Sequence, residues 1–234
     1  MPPKQRAARN QNPQRKGRKA GAKPRSEPQT PPPPAPDGPQ LYLVTPLGAA
    51  AGALGPLLGE VLDRVPAACL RIRAGDDIDE LGRLADVARD IAHTRDIAVV
   101  IDDHVELAQR LGLDGVHLTR GARDVRYARR ILGSDAIVGA FCGASRHKGI
   151  SAGEAGADYV SFGPVGDIGT ALNEPAPLDL FAWWSEMIEV PVVAEGGIDA
   201  ATLEQLRPLA DFIAIGPEIW GATDPARALA LLWE

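Results

Sequence analysis

The chain has 234 residues and a formal net charge of −6, and its charges are divided unevenly along the sequence. The first 39 residues hold nine of the 25 lysines and arginines and 11 of the 21 prolines, but only two of the 31 acids. With almost nothing apolar to bury, residues 1–39 are predicted to form a disordered, basic, Pro-rich tail. Residues 40–234 keep 16 basic against 29 acidic side chains, which argues against a nucleic-acid-binding domain.

Targeting signals and cysteines narrow the class of protein further. The tail lacks the apolar segment of a secretory signal, and no apolar run is long enough for a bilayer span, so we expect a cytoplasmic protein with no membrane partner. The tail has no aromatic residue for base stacking, so any contact with RNA should be weak. Cys69 and Cys142 have neither a disulfide pattern nor metal-ligand spacing, and we expect them to be small buried side chains.

Eight short apolar runs alternate with stretches of helical period. The runs are residues 41–45, 68–73, 98–102, 115–119, 136–141, 159–164, 192–197 and 212–216. Repeated strand-then-helix units predict an α/β fold, a (β/α)8 TIM barrel of residues 40–234. A doubly wound open sheet is the alternative, although no G-x-G-x-x-G fingerprint follows a strand. Helical period covers residues 77–92, and the last helix should begin at Asp224 and Pro225, an N-cap acid followed by proline.

Charged side chains end the second and third predicted strands. Asp102 and Asp103 would lie at the carboxyl end of the barrel, where paired carboxylates can hold Mg²⁺ and bridge it to a phosphate. The alternative is that one of them only caps the helix beginning near Val105. Arg71 and Arg73 share one side of their strand. If that side faces the barrel mouth, Arg73 is placed to bind an anion; if it faces the helices, it forms a surface salt bridge.

Glycines end the last two predicted strands, at the positions where barrels commonly bind phosphate through backbone N–H groups. These candidates are Gly196, Gly197 and Gly216. Two features oppose phosphate binding: Pro217 has no N–H to donate, and Glu195 and Glu218 place negative charge at the same point. His117, flanked by apolar residues, is interpreted as a hydrogen-bonded core residue.

Taken together, the motifs resemble a known family. In chain order they read LYLVTP, LRIR, VIDDHVELA, DGVHL, GADYVSFGPV, PVVAEGGI and DFIAIGPEIW. This series is similar to thiamine phosphate synthase and its TenI-like relatives over residues 41–234. The resemblance implies a (β/α)8 barrel and a transferase of thiamine biosynthesis. In the implied reaction, Mg²⁺ helps 4-amino-2-methyl-5-pyrimidinylmethyl diphosphate to ionise, and the nitrogen of thiazole phosphate attacks the cation, giving thiamine phosphate and pyrophosphate.

The resemblance also implies roles for individual residues. Arg73 and Asp103 take the catalytic positions, and Asp103 is also a metal ligand. Contacts to substrate or phosphate fall to Arg71, Asp102, Thr170, Gly196, Gly197 and Gly216.

Several positions depart from the family pattern. Arg71 replaces a glutamine, Asp102 an asparagine, Gly75 the diphosphate-binding lysine, Ala122 the second metal carboxylate and Pro217 a phosphate-binding serine. Asp124 is the candidate to supply the missing metal ligand, and Lys148, the only lysine after residue 39, the candidate to supply the missing cation.

Three hypotheses follow from the retained and lost positions. The first is a synthase that uses Mg²⁺ and small phosphorylated substrates. The second is a diverged relative, non-catalytic or TenI-like, that binds a small ligand at the barrel mouth or acts through its tail. A TenI-like tautomerase would need a histidine at the position of Gly143, and His147 lies four residues further on. The third is another isomerase or aldolase-type enzyme, because fold does not fix function. The oligomeric state stays open, a homo-oligomer included.

Overall fold

A computed structural model of the chain describes residues 38–166, 168 and 175–234. Its centre is a closed barrel of eight parallel strands in sequential order. The strands are β1 (Gln40–Val44), β2 (Ala67–Ile72), β3 (Ala98–Asp102), β4 (Gly115–Leu118), β5 (Ile137–Phe141), β6 (Tyr159–Phe162), β7 (Val192–Glu195) and β8 (Phe212–Ile215). The predicted (β/α)8 barrel is therefore confirmed. The open-sheet alternative is wrong, because β8 pairs with β1 and closes the sheet.

Helices of the described residues surround the barrel. They are α1 (Ala51–Arg64), α2 (Ile78–His93), α3 (Val105–Leu111), α4 (Val125–Leu132), α5 (Arg146–Ala155), α6 (Leu178–Met187), α7 (Ala200–Leu206), α8 (Pro217–Trp220) and α9 (Pro225–Trp233). A short 3₁₀ helix, Gly121–Asp124, precedes α4. The N-cap expected at Asp224 is present, and Asp77 also caps a helix. The Asp77 side chain accepts from two N–H groups of the first turn of α2, and the Asp224 side chain accepts from Arg227 N–H at the start of α9.

The core has two layers because the side chains of each strand alternate between the helices and the barrel interior. The outer layer joins apolar strand residues such as Leu43, Leu70 and Ile101 to the buried faces of the helices. The inner layer contains Tyr42, Cys69, Val100, Tyr159, Val193 and Ala214. Both cysteines are buried and unpaired, as expected. The carboxyl ends of all eight strands consequently open onto one face, which carries the cavity described below.

Among the described residues, no helix combines the length and apolar character needed to cross a bilayer.

Candidate active site at the carboxyl end of the barrel

A cavity of about 590 Å³ opens at the carboxyl ends of the strands. This volume is in the range of small-molecule sites. Its apolar wall includes Val44, Phe141 and Pro164, and its charged wall consists of Arg71, Arg73, Glu195 and Glu218. Backbone at Gly196, Gly197 and Gly216 forms the remaining side. The cavity therefore combines an apolar surface with charges of both signs.

Arg71 joins two carboxylates across the barrel mouth. Its Nε donates to Asp102 Oδ1 at 2.6 Å, and its Nη1 donates to Glu195 Oε2 at 2.7 Å. The side chains are 8%, 9% and 17% exposed respectively, so water screens these contacts little. Burial alone would lower the pKa of Arg71, but the two carboxylates raise it above its ordinary value. Burial raises the pKa of Glu195, and Arg71 opposes that shift. Within this triad, the arginine charge is largely committed to the protein's own acids.

Arg73 lies on the same side of β2 but stays available. Its backbone N–H donates to Thr45 Oγ1 at 3.0 Å, whereas its guanidinium has no hydrogen bond or ion pair with any described residue. It is only partly buried, and it lines both the main cavity and a second one of about 300 Å³ beside Gly75 and Asp77. Both arginines thus face the mouth. Arg73 is the one that can still bind an anion.

Asp103 follows β3 in a left-handed backbone conformation, φ 53°, which aspartate tolerates better than most side chains. Its Oδ1 accepts from Thr119 N–H at 2.9 Å, and its Oδ2 accepts from the Thr119 hydroxyl. The neighbouring Asp102 turns to Arg71 instead. The two adjacent acids therefore do not act as one pair: Arg71 of β2 holds Asp102, and Thr119, which follows β4, holds Asp103.

The carboxylates of the mouth offer limited ligands for a divalent cation. Within the described ranges, no three histidine, cysteine or acidic side chains are grouped to hold a metal. Asp103 keeps lone pairs beyond its two bonds to Thr119, while Asp102 is bound to a cation already. Mg²⁺ commonly takes one or two protein carboxylates and fills the rest of its shell with phosphate and water. The donor set fits Mg²⁺ if a diphosphate supplies most of the ligands and Asp103 the protein carboxylate.

Other predicted positions lie apart from the cavity wall or outside the described residues. Asp124 ends the 3₁₀ helix and pairs with Arg120 at 3.4 Å, and Ala122 contributes no polar group. Lys148 is exposed in the first turn of α5. Thr170 lies outside the described residues. The roles given to these residues stay predictions.

A cup of backbone N–H groups does form at the predicted glycines. Gly196 and Gly197 have φ values of +83° and +73°, which turn the chain after β7 in a way that few other residues adopt. The carboxylate of Glu218 lies in this cup. Its Oε1 accepts from Gly197 N–H at 3.1 Å and Ile198 N–H at 3.3 Å, and its Oε2 accepts from Gly216 N–H at 2.8 Å.

Backbone closes the space beside Gly75, the position where the resemblance implies a lysine. A Cβ atom built on Gly75 would lie 2.7 Å from the Cα of Gly48 in the loop after β1. Contacts below about 3 Å involve real overlap, and backbone cannot rotate away as a side chain can. A side chain at residue 75 would require this loop to move.

A polar chain lies below the mouth, inside the barrel. Tyr42 Oη and Tyr159 Oη are 2.6 Å apart, and Tyr159 Oη is 2.9 Å from His117 Nδ1. His117 is therefore a buried core residue, as expected from its apolar flanks. The sequence interpretation did not find Tyr159 or Ser161, whose hydroxyls face inward. The two-residue alternation of Tyr159 and Ser161 along β6 was the available signal.

An eight-stranded barrel with a charged cavity at the carboxyl ends of its strands belongs to the class of TIM-barrel proteins that hold small ligands in their βα loops. The sequence model of the family described as "Thiamine monophosphate synthase" matches residues 41–219. The thiamine-phosphate synthase of Rhodospirillum centenum is 42% identical over 197 residues, which cover 82% of this chain and 94% of that protein. That of Erythrobacter litoralis is 39% identical, over 82% and 92%. The chain belongs to the thiamine monophosphate synthase family.

Solved structures agree with the fold. Thiamine phosphate pyrophosphorylase from Pyrococcus furiosus superposes with a TM-score of 0.68 at 24% identity, over 83% of this chain and 93% of that one. A 3-hexulose-6-phosphate synthase from Salmonella typhimurium gives a TM-score of 0.64 at 19% identity, over 82% and 97%. At such identities these two similarities show the barrel alone.

Proposed function

We propose that the protein catalyses the reaction of its family, transfer of the pyrimidinylmethyl group from its diphosphate to a thiazole nitrogen. The observation that carries this proposal is family membership over residues 41–219, together with an arginine at the cavity, Arg73, that pairs with no described residue. Asp103 is also retained, in a fixed orientation at the end of β3. A guanidinium that has no partner among the described residues, beside a cavity of this size, suits a diphosphate ester.

In this reaction the chain must hold the diphosphate and stabilise the negative charge that forms on it. The bond between the methylene carbon and the diphosphate oxygen breaks, pyrophosphate leaves with the electron pair, and the thiazole nitrogen forms the new bond to carbon. Arg73 would hold the diphosphate and stabilise the charge that grows on the leaving oxygen. When bound, Mg²⁺ supplies further neutralisation of that charge. Thr119 fixes the Asp103 carboxylate, so this residue would position the cation-binding end of the diphosphate without rearrangement.

The apolar wall of the cavity would bind a different part of the substrates, their planar rings. Val44, Phe141 and Pro164 line the cavity together with the charged residues. A planar ring packed there would be held by burial of apolar surface, and water would be excluded from the carbon that reacts. Exclusion matters because water would otherwise compete with the thiazole nitrogen for the same carbon.

The second candidate is a diverged relative that binds a small ligand without catalysing this transfer. The observation that favours it is the triad of Arg71, Asp102 and Glu195, in which the charge of Arg71 is committed to two buried carboxylates and not to a ligand. Loss of a single charged contact in such sites commonly costs about 10²–10³ in rate. The closed position at Gly75 removes one further cation that the family reaction uses.

The two candidates are separated by product analysis. Full-length protein is incubated with the pyrimidinylmethyl diphosphate and a thiazole acceptor, given both as the phosphate and as the alcohol, with and without Mg²⁺. Coupled product and pyrophosphate are measured by chromatography. We expect Mg²⁺-dependent turnover that falls at least about 100-fold in Asp103→Asn and in Arg73→Gln.

An exposed acid on an outer helix provides the matched control. Asp63→Asn on α1 removes one exposed carboxylate that pairs with Arg95 and does not line the cavity, and it should leave turnover unchanged. Absence of product with either acceptor, beside an active synthase run in parallel, would reject the synthase proposal and leave the diverged relative. Equal losses in Asp63→Asn and Asp103→Asn would show a stability effect only.

A further inference from the structure

The cup after β7 and β8 is built for an anion and already contains one. Three backbone N–H groups, from Gly197, Ile198 and Gly216, converge on the two oxygens of Glu218 at 2.8 to 3.3 Å. They come from two different βα loops, since Gly197 and Ile198 follow β7 and Gly216 follows β8. Converging N–H groups of this kind bind phosphate oxygens in many barrels.

Helix capping explains only part of this arrangement. Glu218 lies in the first turn of α8, so its bond to Gly216 N–H is the local bond that a capping acid makes. The bonds from Oε1 reach instead to the loop after β7, some 20 residues earlier in the chain. The carboxylate therefore occupies the centre of the cup, with one oxygen for each loop.

The surroundings also oppose a second anion in the cup. Pro217 has no N–H to add, and Arg71, which lines the same cavity, is already paired with Glu195. A phosphate entering the cup would have to displace Glu218 from all three donors and would then lie beside its charge.

We infer that Glu218 is a specificity-determining residue, an internal anion that takes the place of phosphate, so that the ligand group held at this end of the cavity is uncharged. A hydroxyl suits the place, because it can donate to the Glu218 carboxylate, whose oxygens keep lone pairs free. This inference deepens the proposed function by naming the acceptor: the thiazole would be the alcohol and not its phosphate ester. Only this naming of the acceptor rests on the proposed function.

Inorganic phosphate tests the cup without any need for turnover. The full-length protein, labelled with ¹⁵N, is titrated with inorganic phosphate while the amide signals of Gly197, Ile198 and Gly216 are followed. In the wild-type protein these signals should not respond at millimolar phosphate. In Glu218→Ser they should shift together and saturate, with an affinity at least about tenfold higher than that of the wild type.

Two further variants keep the test sharp. Glu218→Gln retains the size of the side chain but not its charge, and it covers the case in which Glu218→Ser does not fold. It should also bind phosphate more tightly than the wild type does. Glu186→Ser, an exposed change on α6, is the matched control and should bind no better than the wild type. Saturable phosphate binding at these amides in the wild type would overturn the inference. So would unaltered binding in both Glu218 variants, because the carboxylate would then have only a structural role.

The acceptor supplies an independent reading. With the pyrimidinylmethyl diphosphate as donor, the wild type should use the thiazole alcohol with a kcat/KM at least about tenfold higher than that for the phosphate ester, and Glu218→Ser should reduce or reverse this ratio. A wild-type preference for the phosphate ester would reject the inference while supporting the synthase. If neither acceptor reacts, the synthase proposal fails, and the phosphate titration alone decides the role of Glu218.

Discussion

Arg71 is the residue on which the charge balance of the barrel mouth depends. It is the cation shared by Asp102 and Glu195, at 2.6 and 2.7 Å, and all three side chains are largely buried. A buried ion pair adds little over apolar packing, but removing one partner leaves the other charge without compensation. The family's glutamine at this position would leave two carboxylates facing each other with only an amide between them.

The prediction is that Arg71→Gln lowers the free energy of unfolding by about 3 kcal/mol, at the lower end of the cost of an orphaned buried charge because Glu195 is partly exposed. Urea denaturation at neutral pH measures the change. The double variant Arg71→Gln/Glu195→Gln should recover at least half of the loss, because it removes one of the two orphaned charges. Strictly additive losses in the two single variants would contradict the triad as the source of the effect.

Individual residues also show which contacts of the site the sequence could not predict. The period-two pattern placed Arg71 and Arg73 on one side of β2, and left open whether that side faced the mouth. The contact between Arg71 and Glu195 spans 124 residues and joins β2 to β7, which are not neighbours in the barrel. Barrel closure and strand register determine which side chains meet in this way, and neither can be seen in a local sequence pattern. The same holds for Glu218: its charge near the glycines was evident, but its place inside the cup was not.

Elements were more predictable than contacts. All eight strands were found within two residues of their ends, because buried parallel strands are short apolar runs bounded by turn residues. The cap at Asp224 was also predicted, because its chemistry is local. The loops after the strands carry the site, and their conformations depend on each other. The loop after β1 and the segment after β2 illustrate this, since Gly48 and Gly75 meet backbone to backbone.

This contact predicts the effect of a single methyl group. Gly75→Ala should lower the free energy of unfolding by about 1–3 kcal/mol, because its Cβ would lie 2.7 Å from Gly48 Cα. Gly82→Ala in α2 is the matched control. A Cβ there meets nothing within 4 Å, so alanine should raise stability by about 0.5–1 kcal/mol through helix propensity. Thermal and urea unfolding of both variants measure the difference. Equal stability of the two would show that the loop after β1 moves aside freely.

The molecule as a whole has a titratable chain at its centre, inside the barrel. His117 is fully buried between strands, hydrogen-bonded through Nδ1 to Tyr159, and its Nε2 has no partner among the described residues. Burial, with a smaller contribution from the charge of Arg71, lowers the pKa of His117 well below its ordinary value of 6.5. The folded barrel therefore keeps this imidazole neutral at pH values where the unfolded chain takes up a proton.

The sign of the resulting pH dependence follows from proton counting. Between the lowered pKa and 6.5, the unfolded state binds more protons at this residue than the folded state does. The free energy of unfolding therefore rises with pH over this range, and the stability from His117 is lost as the pH falls. Relative to His117→Gln, which cannot titrate, the wild type should lose about 1.4 kcal/mol between pH 7.5 and 5.5. Urea denaturation of both proteins across this range measures the difference, in which the groups they share cancel. A difference that stays constant with pH would mean that the folded barrel protonates His117 as readily as the unfolded chain does.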